Sequence, residues 1–184
     1  VRKFGVFVDA PVDEMLAIVD EAGLDGVQFS GDQPPAVIDE IRDAMPSLFI
    51  TKVIRPTSAE SMDVASEFLA ADALLFDPKD VQRPELNSHP IPIEWLRELR
   101  IDRMIVAGGL NPENVGGVVS SIRPWGIDVS SGVESSAGRK DPEKIREFIR
   151  AVREAELTPH GSGGVGPTGN SAARRVSGYA SRDA

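Results

Sequence analysis

Six short apolar segments, repeated at similar intervals along the chain, constrain its fold more than any other feature of the sequence. Their first residues, from Phe4 to Ile127, follow one another at intervals of 22 to 31 residues. Each segment is almost continuously apolar, which is typical of strands buried on both faces of a parallel sheet. The predicted strands are residues 4–8, 26–29, 49–54, 73–76, 104–107 and 127–129.

Amphipathic helices are predicted between these strands and after the last one. They cover residues 11–22, 35–45, 58–70, 93–100, 112–122 and 142–157, and their apolar side chains recur at helical spacing. Asn111 and Asp141 each precede a proline and an acidic residue, a pattern typical of helix starts. This alternation predicts an α/β fold, either an open doubly wound sheet or a (β/α)8 barrel. Six units are too few for a complete barrel, so their number alone favours the open sheet.

Composition and charge exclude several classes of function. The chain has no cysteine, which excludes a disulfide framework, a thiolate metal site and a cysteine nucleophile within these residues. Neither His89 nor His160 has a second ligand at metal-binding spacing, so no metal site is expected. The net charge of −9 argues against nucleic-acid or membrane binding by long-range attraction. With no long apolar run and no signal-peptide pattern, a cytoplasmic location is expected.

The last part of the chain, residues 158–184, differs from the rest. It is rich in glycine and has few large apolar residues, so we expect a flexible tail after a domain that spans residues 1–157. Residues 161–166 formally match the G-x-G-x-x-G pattern of dinucleotide-binding turns. No strand precedes them and no helical pattern follows, so we interpret them as a linker.

Two turns rich in glycine and serine follow the last two predicted strands. Both candidate architectures bind ligands at the carboxyl ends of their strands. The backbone N–H groups of two such neighbouring turns can together surround a phosphate group. The alternative is that these residues only allow tight turns. The candidate phosphate-binding residues are Gly108, Gly109, Ser130, Ser131 and Gly132.

Three charged residues are further candidates at the same strand ends. Asp77 ends an apolar strand, where a carboxyl group could act as a general acid or only cap the strand end. Asp128 lies in an apolar strand, where a carboxylate needs either a structural hydrogen bond or a cavity with a hydroxyl-bearing ligand. Arg55 follows the third strand and could bind an anion.

Several segments, in order, resemble the phosphoribosylanthranilate isomerase family, whose members are (β/α)8 barrels of tryptophan biosynthesis. The most specific are residues 107–115, which begin Ala-Gly-Gly-Leu, and residues 126–134, which contain Asp-Val-Ser-Ser-Gly-Val-Glu. The resemblance covers about residues 1–155 and corresponds to the last six of the family's eight units. The implied fold is therefore an incomplete (β/α)8 barrel that lacks the first two βα units.

The resemblance also implies a reaction. Family members catalyse the Amadori rearrangement of N-(5-phosphoribosyl)anthranilate to 1-(2-carboxyphenylamino)-1-deoxyribulose 5-phosphate, without cofactor or metal. By resemblance, Asp77 is the general acid and Asp128 holds ribose hydroxyls. The two glycine- and serine-rich turns would surround the phosphate. The family's general base is a cysteine of the first strand, and this chain contains none.

Three functions remain open at this point. The chain could be an isomerase that is active only when the two missing units are present. It could instead be a binder of a phosphorylated ligand that has lost the general base. It could also be an unrelated phosphosugar enzyme on the same fold, in which Arg55 binds the anion. The expected partner is a small phosphorylated molecule in each case, and the sequence does not predict the oligomeric state.

Overall fold

A computed structural model describes residues 1–78 and 90–157 of the chain. The predicted tail, both histidines and most of the proline-rich loop after Asp77 lie outside the described residues. The strands are β1 Phe4–Phe7, β2 Gly26–Phe29, β3 Phe49–Ile54, β4 Ala73–Phe76, β5 Met104–Val106, β6 Gly126–Ile127, β7 Glu134–Ser136 and β8 Arg139–Lys140. The α-helices are α1 Val12–Ala22, α2 Ala36–Ala44, α3 Ile93–Arg97, α4 Val115–Ile122 and α5 Pro142–Leu157, with 3₁₀ helices at Glu60–Phe68 and Ser131–Val133.

Strands β1 to β6 form one parallel sheet in which each strand pairs with the next along the chain. A doubly wound sheet would reverse its strand order near the middle. An uninterrupted sequential order is that of a barrel wall, which confirms the incomplete barrel and excludes the open doubly wound sheet. Within the described residues, β1 and β6 are the two edges of this wall and do not pair with each other.

The wall has an apolar layer on each face. The larger one packs the outer face of the sheet against the helices and contains the fully buried Phe29, Ile50 and Phe76. The smaller one lies on the inner face, where Val53, Leu75 and Ala107 contact one another and Ile105 packs against them. This inner cluster occupies the lumen of the incomplete barrel.

The lumen is open on the side of β1. On this strand Phe4 and Val6 point away from the helices and are 41% and 60% exposed, although both are large apolar residues. The Phe49 ring stacks on Trp125 with centroids 6.0 Å apart and meets Phe4 edge-on at 5.8 Å. Trp125, just before β6, is itself 51% exposed. Apolar surface of this kind is normally covered in a closed barrel.

Several segments differ from the sequence-based expectation. Helix α3 ends at Arg97 rather than at residue 100, and α4 begins at Val115 rather than at residue 112. Residues 58–70 were expected to form an α-helix with Leu69 in its apolar face, but the structure has a 3₁₀ helix over Glu60–Phe68 and Leu69 is exposed. The buried residues of that helix, Met62, Ala65 and Phe68, are spaced by three, which places them on one face of a 3₁₀ helix. The β7–β8 hairpin was not expected, because strands of two or three residues are too short to show a pattern.

The predicted helix start at Asp141 is confirmed, whereas Asn111 caps a turn that precedes the first residue of α4, Val115. The Asn111 side-chain oxygen accepts hydrogen bonds from the N–H groups of Glu113 and Asn114, both at 3.0 Å. The Asp141 carboxylate accepts from Glu143 and Lys144 at 2.8 and 3.3 Å. No helix in the described part of the chain is both long and apolar enough to cross a membrane.

Candidate active site

The turn after β5 is shaped by two consecutive glycines. Gly108 and Gly109 have φ angles of +85° and +60°, a region that residues with a side chain rarely adopt. A β-carbon on Gly108 would lie 2.4 Å from Cδ of Pro78 and 3.1 Å from a carboxylate oxygen of Asp77. The absence of a side chain therefore allows this turn to pack directly against the end of β4, with the Asp77 carboxylate beside it.

The turn after β6 contacts the turn after β5. A β-carbon on Gly132 would lie only 1.7 Å from the carbonyl oxygen of Leu110 and 2.8 Å from its carbonyl carbon. The two backbones are thus closer than a side chain at residue 132 would permit. Because Leu110 directly follows the Gly108–Gly109 turn, the two predicted phosphate-binding segments are adjacent in space.

Lys140, in β8, is a charged residue at this site that the sequence analysis did not identify. Its ammonium group donates hydrogen bonds to the backbone carbonyl of Ser130 at 2.9 Å and to the Glu134 carboxylate at 2.6 Å. The Ser130 hydroxyl lies 3.4 Å from the same ammonium group. Lys140 lies ten residues after Ser130 in a strand of only two residues, so no repeating pattern in the sequence indicates this contact.

Asp128 lies at the lumen side of the site, immediately after β6. It helps to line a cavity of about 340 Å³, together with Thr51, Leu75 and Ile105 of the inner barrel face. Surrounding atoms partly desolvate its carboxyl group and raise its pKa, while Lys140 and a hydrogen bond from the backbone of Val129 act in the opposite direction. The cavity also extends to Phe4, Phe49 and Trp125 near the amino ends of the strands, and the holding of ribose hydroxyls by Asp128 stays a prediction.

Asp77 is half-buried at the end of β4. Its backbone N–H donates to the carbonyl of Ile54 at 3.1 Å, which continues the ladder between β3 and β4 by one residue. Its carboxylate faces Gly108 across the β4–β5 junction, as the β-carbon distance shows. The candidate proton donor and the candidate phosphate turns therefore lie at the same edge of the sheet.

Arg55 contacts the loop after β2, where its guanidinium donates to the backbone carbonyl of Ser30. The neighbouring Lys52 is buried and donates to the carbonyl of Gly31 at 2.5 Å. Burial lowers the pKa of Lys52, and Asp32 partly offsets this effect. The two cations fix the loop after β2, and the binding of an anion by Arg55 stays a prediction.

Comparison with known proteins gives a consistent result. A family model described as N-(5'-phosphoribosyl)anthranilate (PRA) isomerase matches residues 1–151. An N-(5'-phosphoribosyl)anthranilate isomerase of Acetivibrio thermocellus is 36% identical over 165 residues, which cover 85% of this chain and 74% of the relative. The enzyme of the same name from Roseiflexus castenholzii is 39% identical over 159 residues, covering 84% and 72%.

Solved structures agree with the sequence matches. The phosphoribosyl anthranilate isomerase of Thermotoga maritima superposes with a TM-score of 0.72 at 28% identity, covering 84% of this chain and 74% of that one. A phosphoribosyl anthranilate isomerase in complex with reduced 1-(o-carboxyphenylamino)-1-deoxyribulose 5-phosphate superposes with a TM-score of 0.66 at 26% identity, covering 84% and 72%. The matched share of about three quarters is what six of eight barrel units would give.

Proposed function

This chain belongs to the N-(5'-phosphoribosyl)anthranilate isomerase family, and we propose that it carries the phosphate-binding and proton-donating part of such an isomerase. The substrate would be N-(5-phosphoribosyl)anthranilate and the product 1-(2-carboxyphenylamino)-1-deoxyribulose 5-phosphate, in tryptophan biosynthesis. One observation carries this proposal. The turn at Gly132 contacts the turn that begins at Gly108, and the carboxylate of Asp77 lies against Gly108.

The phosphate would be bound locally rather than by the overall field of the protein. A chain with a net charge of −9 repels anions at long range, so binding depends on short contacts. Backbone N–H groups can donate charge-assisted hydrogen bonds to phosphate oxygens without any cationic side chain. Those available here belong to Gly108, Gly109, Ser131 and Gly132. Since a phosphate ester crosses a bilayer poorly, we also propose that the chain meets its substrate in the cytoplasm.

Asp77 would supply the first proton. With the phosphate held beside Gly108, the ribose ring extends toward the lumen and its ring oxygen comes within reach of this carboxyl group. Transfer of the proton to the ring oxygen breaks the bond between C1 and that oxygen and leaves an open-chain Schiff base. Asp128, at the lumen side of the site, would accept hydrogen bonds from the ribose hydroxyls. A positioned general acid typically contributes 10²–10⁴-fold to the rate.

The second step needs a base that these residues do not provide. Removal of the C2 proton from the Schiff base gives an enolamine, which tautomerises to the product ketone. The family uses a cysteine for this step, and this chain has none. We propose that the base comes from two further βα units that complete the wall between β1 and β6. Family membership favours this isomerase over a non-catalytic binder and over an unrelated phosphosugar enzyme.

The test separates binding from turnover. We expect the chain alone to bind the reduced product analogue in calorimetry, because the phosphate turns are complete within the described residues. We expect turnover only when two βα units are fused ahead of Val1, taken from the part of the Acetivibrio thermocellus relative that this chain does not match. Binding by the fused protein without turnover would identify a non-catalytic binder. Absence of binding by both proteins would refute the proposal.

A further inference from the structure

We propose that Lys140 is a positioning residue for the phosphate-binding turn, which it holds through the backbone carbonyl of Ser130 while leaving the turn's N–H groups free for the anion. This inference rests on the proposed function, because it assigns a role within that same site. Neither composition nor the pattern of strand ends pointed to this residue.

The geometry assigns Lys140 to the turn rather than to the ligand. An ammonium group has three donors, and those of Lys140 face the Ser130 carbonyl, the Ser130 hydroxyl and the Glu134 carboxylate. In this arrangement the ammonium group is directed at the turn, with its shorter contacts to the Ser130 carbonyl and the Glu134 carboxylate. We therefore assign its effect on the anion to the contact with Ser130.

Ser130 needs such a partner because regular secondary structure does not hold it. Its backbone, at φ −120° and ψ −89°, is neither helical nor extended. Within the described part of the chain, its carbonyl accepts a backbone hydrogen bond from Val133, at the long distance of 3.5 Å. Because a trans peptide bond places a carbonyl and the next N–H on opposite sides, a cation bound to the Ser130 carbonyl leaves the N–H of Ser131 on the other side of that peptide.

The β7–β8 hairpin holds Lys140 in this place. The Glu134 carboxylate, whose side chain is only 14% exposed, accepts from Lys140 and, at 3.1 Å, from the backbone N–H of Gly138. Lys144 of α5 donates to the Glu134 carbonyl at 2.7 Å. The hairpin is therefore fixed both to the turn and to the last helix, which explains why so short an element interrupts the βα pattern here.

The same cation also acts on Asp128. Lys140 lowers the pKa of that carboxyl group against the effect of desolvation. Retaining the carboxylate form keeps Asp128 able to accept hydrogen bonds from hydroxyl groups. One residue thus supports both the phosphate turn and the group proposed to hold the ribose.

The test compares four versions of the full 184-residue chain: wild type, Lys140→Met, Lys140→Arg and Arg139→Met. Arg139 is the exposed neighbour in β8, so its replacement removes the same charge without touching Ser130. The probe is the reduced product analogue, with Kd measured by calorimetry. We expect Lys140→Met to raise Kd about tenfold, the equivalent of 1.4 kcal/mol. Lys140→Arg should stay within about threefold of wild type, since arginine also donates hydrogen bonds, and Arg139→Met should leave Kd unchanged.

Several results would overturn the inference. Equal Kd values for Lys140→Met and wild type would show that the turn does not depend on this residue. An equal loss in Arg139→Met would assign the effect to overall charge. Far-UV circular dichroism and Tm are measured alongside, and a Lys140→Met variant that is unfolded would assign Lys140 to folding instead. If wild type does not bind the analogue, the proposed function fails as well, which distinguishes that outcome from a failure specific to Lys140.

Discussion

The contact between the two phosphate turns predicts a large effect of Gly132→Ala. The new methyl group would lie 1.7 Å from the Leu110 carbonyl oxygen, whereas β-carbon contacts essentially never fall below 3.0 Å. One turn must therefore move by at least about 1.3 Å, since the obstacle is backbone on both sides. Overpacking of this kind typically costs about 1–3 kcal/mol of stability. A displacement of about 1 Å in a binding site commonly costs on the order of 100-fold in function.

The assay measures both consequences in the chain alone. Urea unfolding gives the free energy of unfolding, and calorimetry with the reduced product analogue gives Kd under folded conditions. We expect the variant to lose about 1–3 kcal/mol of stability. We also expect its Kd to rise at least tenfold, because separated turns no longer surround one anion.

Gly117→Ala is the matched control. Gly117 lies in α4, and a β-carbon there meets no atom within 4 Å. Alanine is a better helix former than glycine, so this variant should be about 0.5–1 kcal/mol more stable than wild type. Its Kd should not change. If Gly132→Ala binds the analogue as tightly as Gly117→Ala does, the adjacency of the two turns does not create the phosphate site and the reasoning is wrong.

Three further predictions concern the acid, the lumen carboxylate and the open wall. Asp77→Asn in the fused, eight-unit protein should lower turnover about 10²–10⁴-fold while Kd for the analogue stays the same; a normal rate would remove Asp77 from the mechanism. The pKa of Asp128 is raised in the folded chain, so the folded state binds this proton more tightly than the unfolded state does. The resulting stabilisation is complete below the ordinary pKa of 3.8 and is lost as pH rises through the folded pKa. Asp128→Asn should therefore become more stable relative to wild type as pH rises toward 7 in urea unfolding, and a pH-independent difference would contradict this. Val6, 60% exposed on edge strand β1, should promote self-association of the chain, so Val6→Lys should increase the monomer fraction in sedimentation velocity. The same change at Ile18, 37% exposed on α1, should not alter the monomer fraction; an equal increase there would mean that added charge alone prevents association.

The sequence predicted the strands well because buried parallel strands are almost continuously apolar. Each of β1 to β6 lies within two residues of its expected position, and only β6 is shifted, to Gly126–Ile127. The order of the strands in the sheet was harder to predict from the sequence, because it depends on contacts between residues that are far apart in the chain. The number of units alone favoured the wrong alternative, and the resemblance of the turn sequences corrected it. The 3₁₀ helix at Glu60–Phe68 was missed because a spacing of three resembles the helical spacing of three and four.

The geometry of the candidate site was easier to predict where it depends on backbone than where it depends on side chains from elsewhere. Gly108 and Gly132 were candidates because glycine-rich turns follow the last two strands, and the structure brings these two turns into contact. Lys140 and the partner of Arg55 were not, since each of these cations donates to a backbone carbonyl, a group that every residue has. A sequence cannot reveal which carbonyl a long, flexible side chain will reach.

The candidate phosphate site and the opening of the barrel wall are distinct features of the fold. Within the described residues, the contacts that build the candidate phosphate site join β4, β5, β6 and the hairpin before α5, at one side of the six-stranded arc. The opening lies between β6 and β1, the two edges of this arc, and it leaves Phe4 and Val6 of β1 exposed. A strand pair that completes the wall would therefore place its first strand, with the base, beside β6 and next to the candidate phosphate turns. Binding of the sugar phosphate and removal of its C2 proton would then be separable properties of two segments of one barrel. This separation is why the chain alone is expected to bind the product analogue but not to turn over substrate.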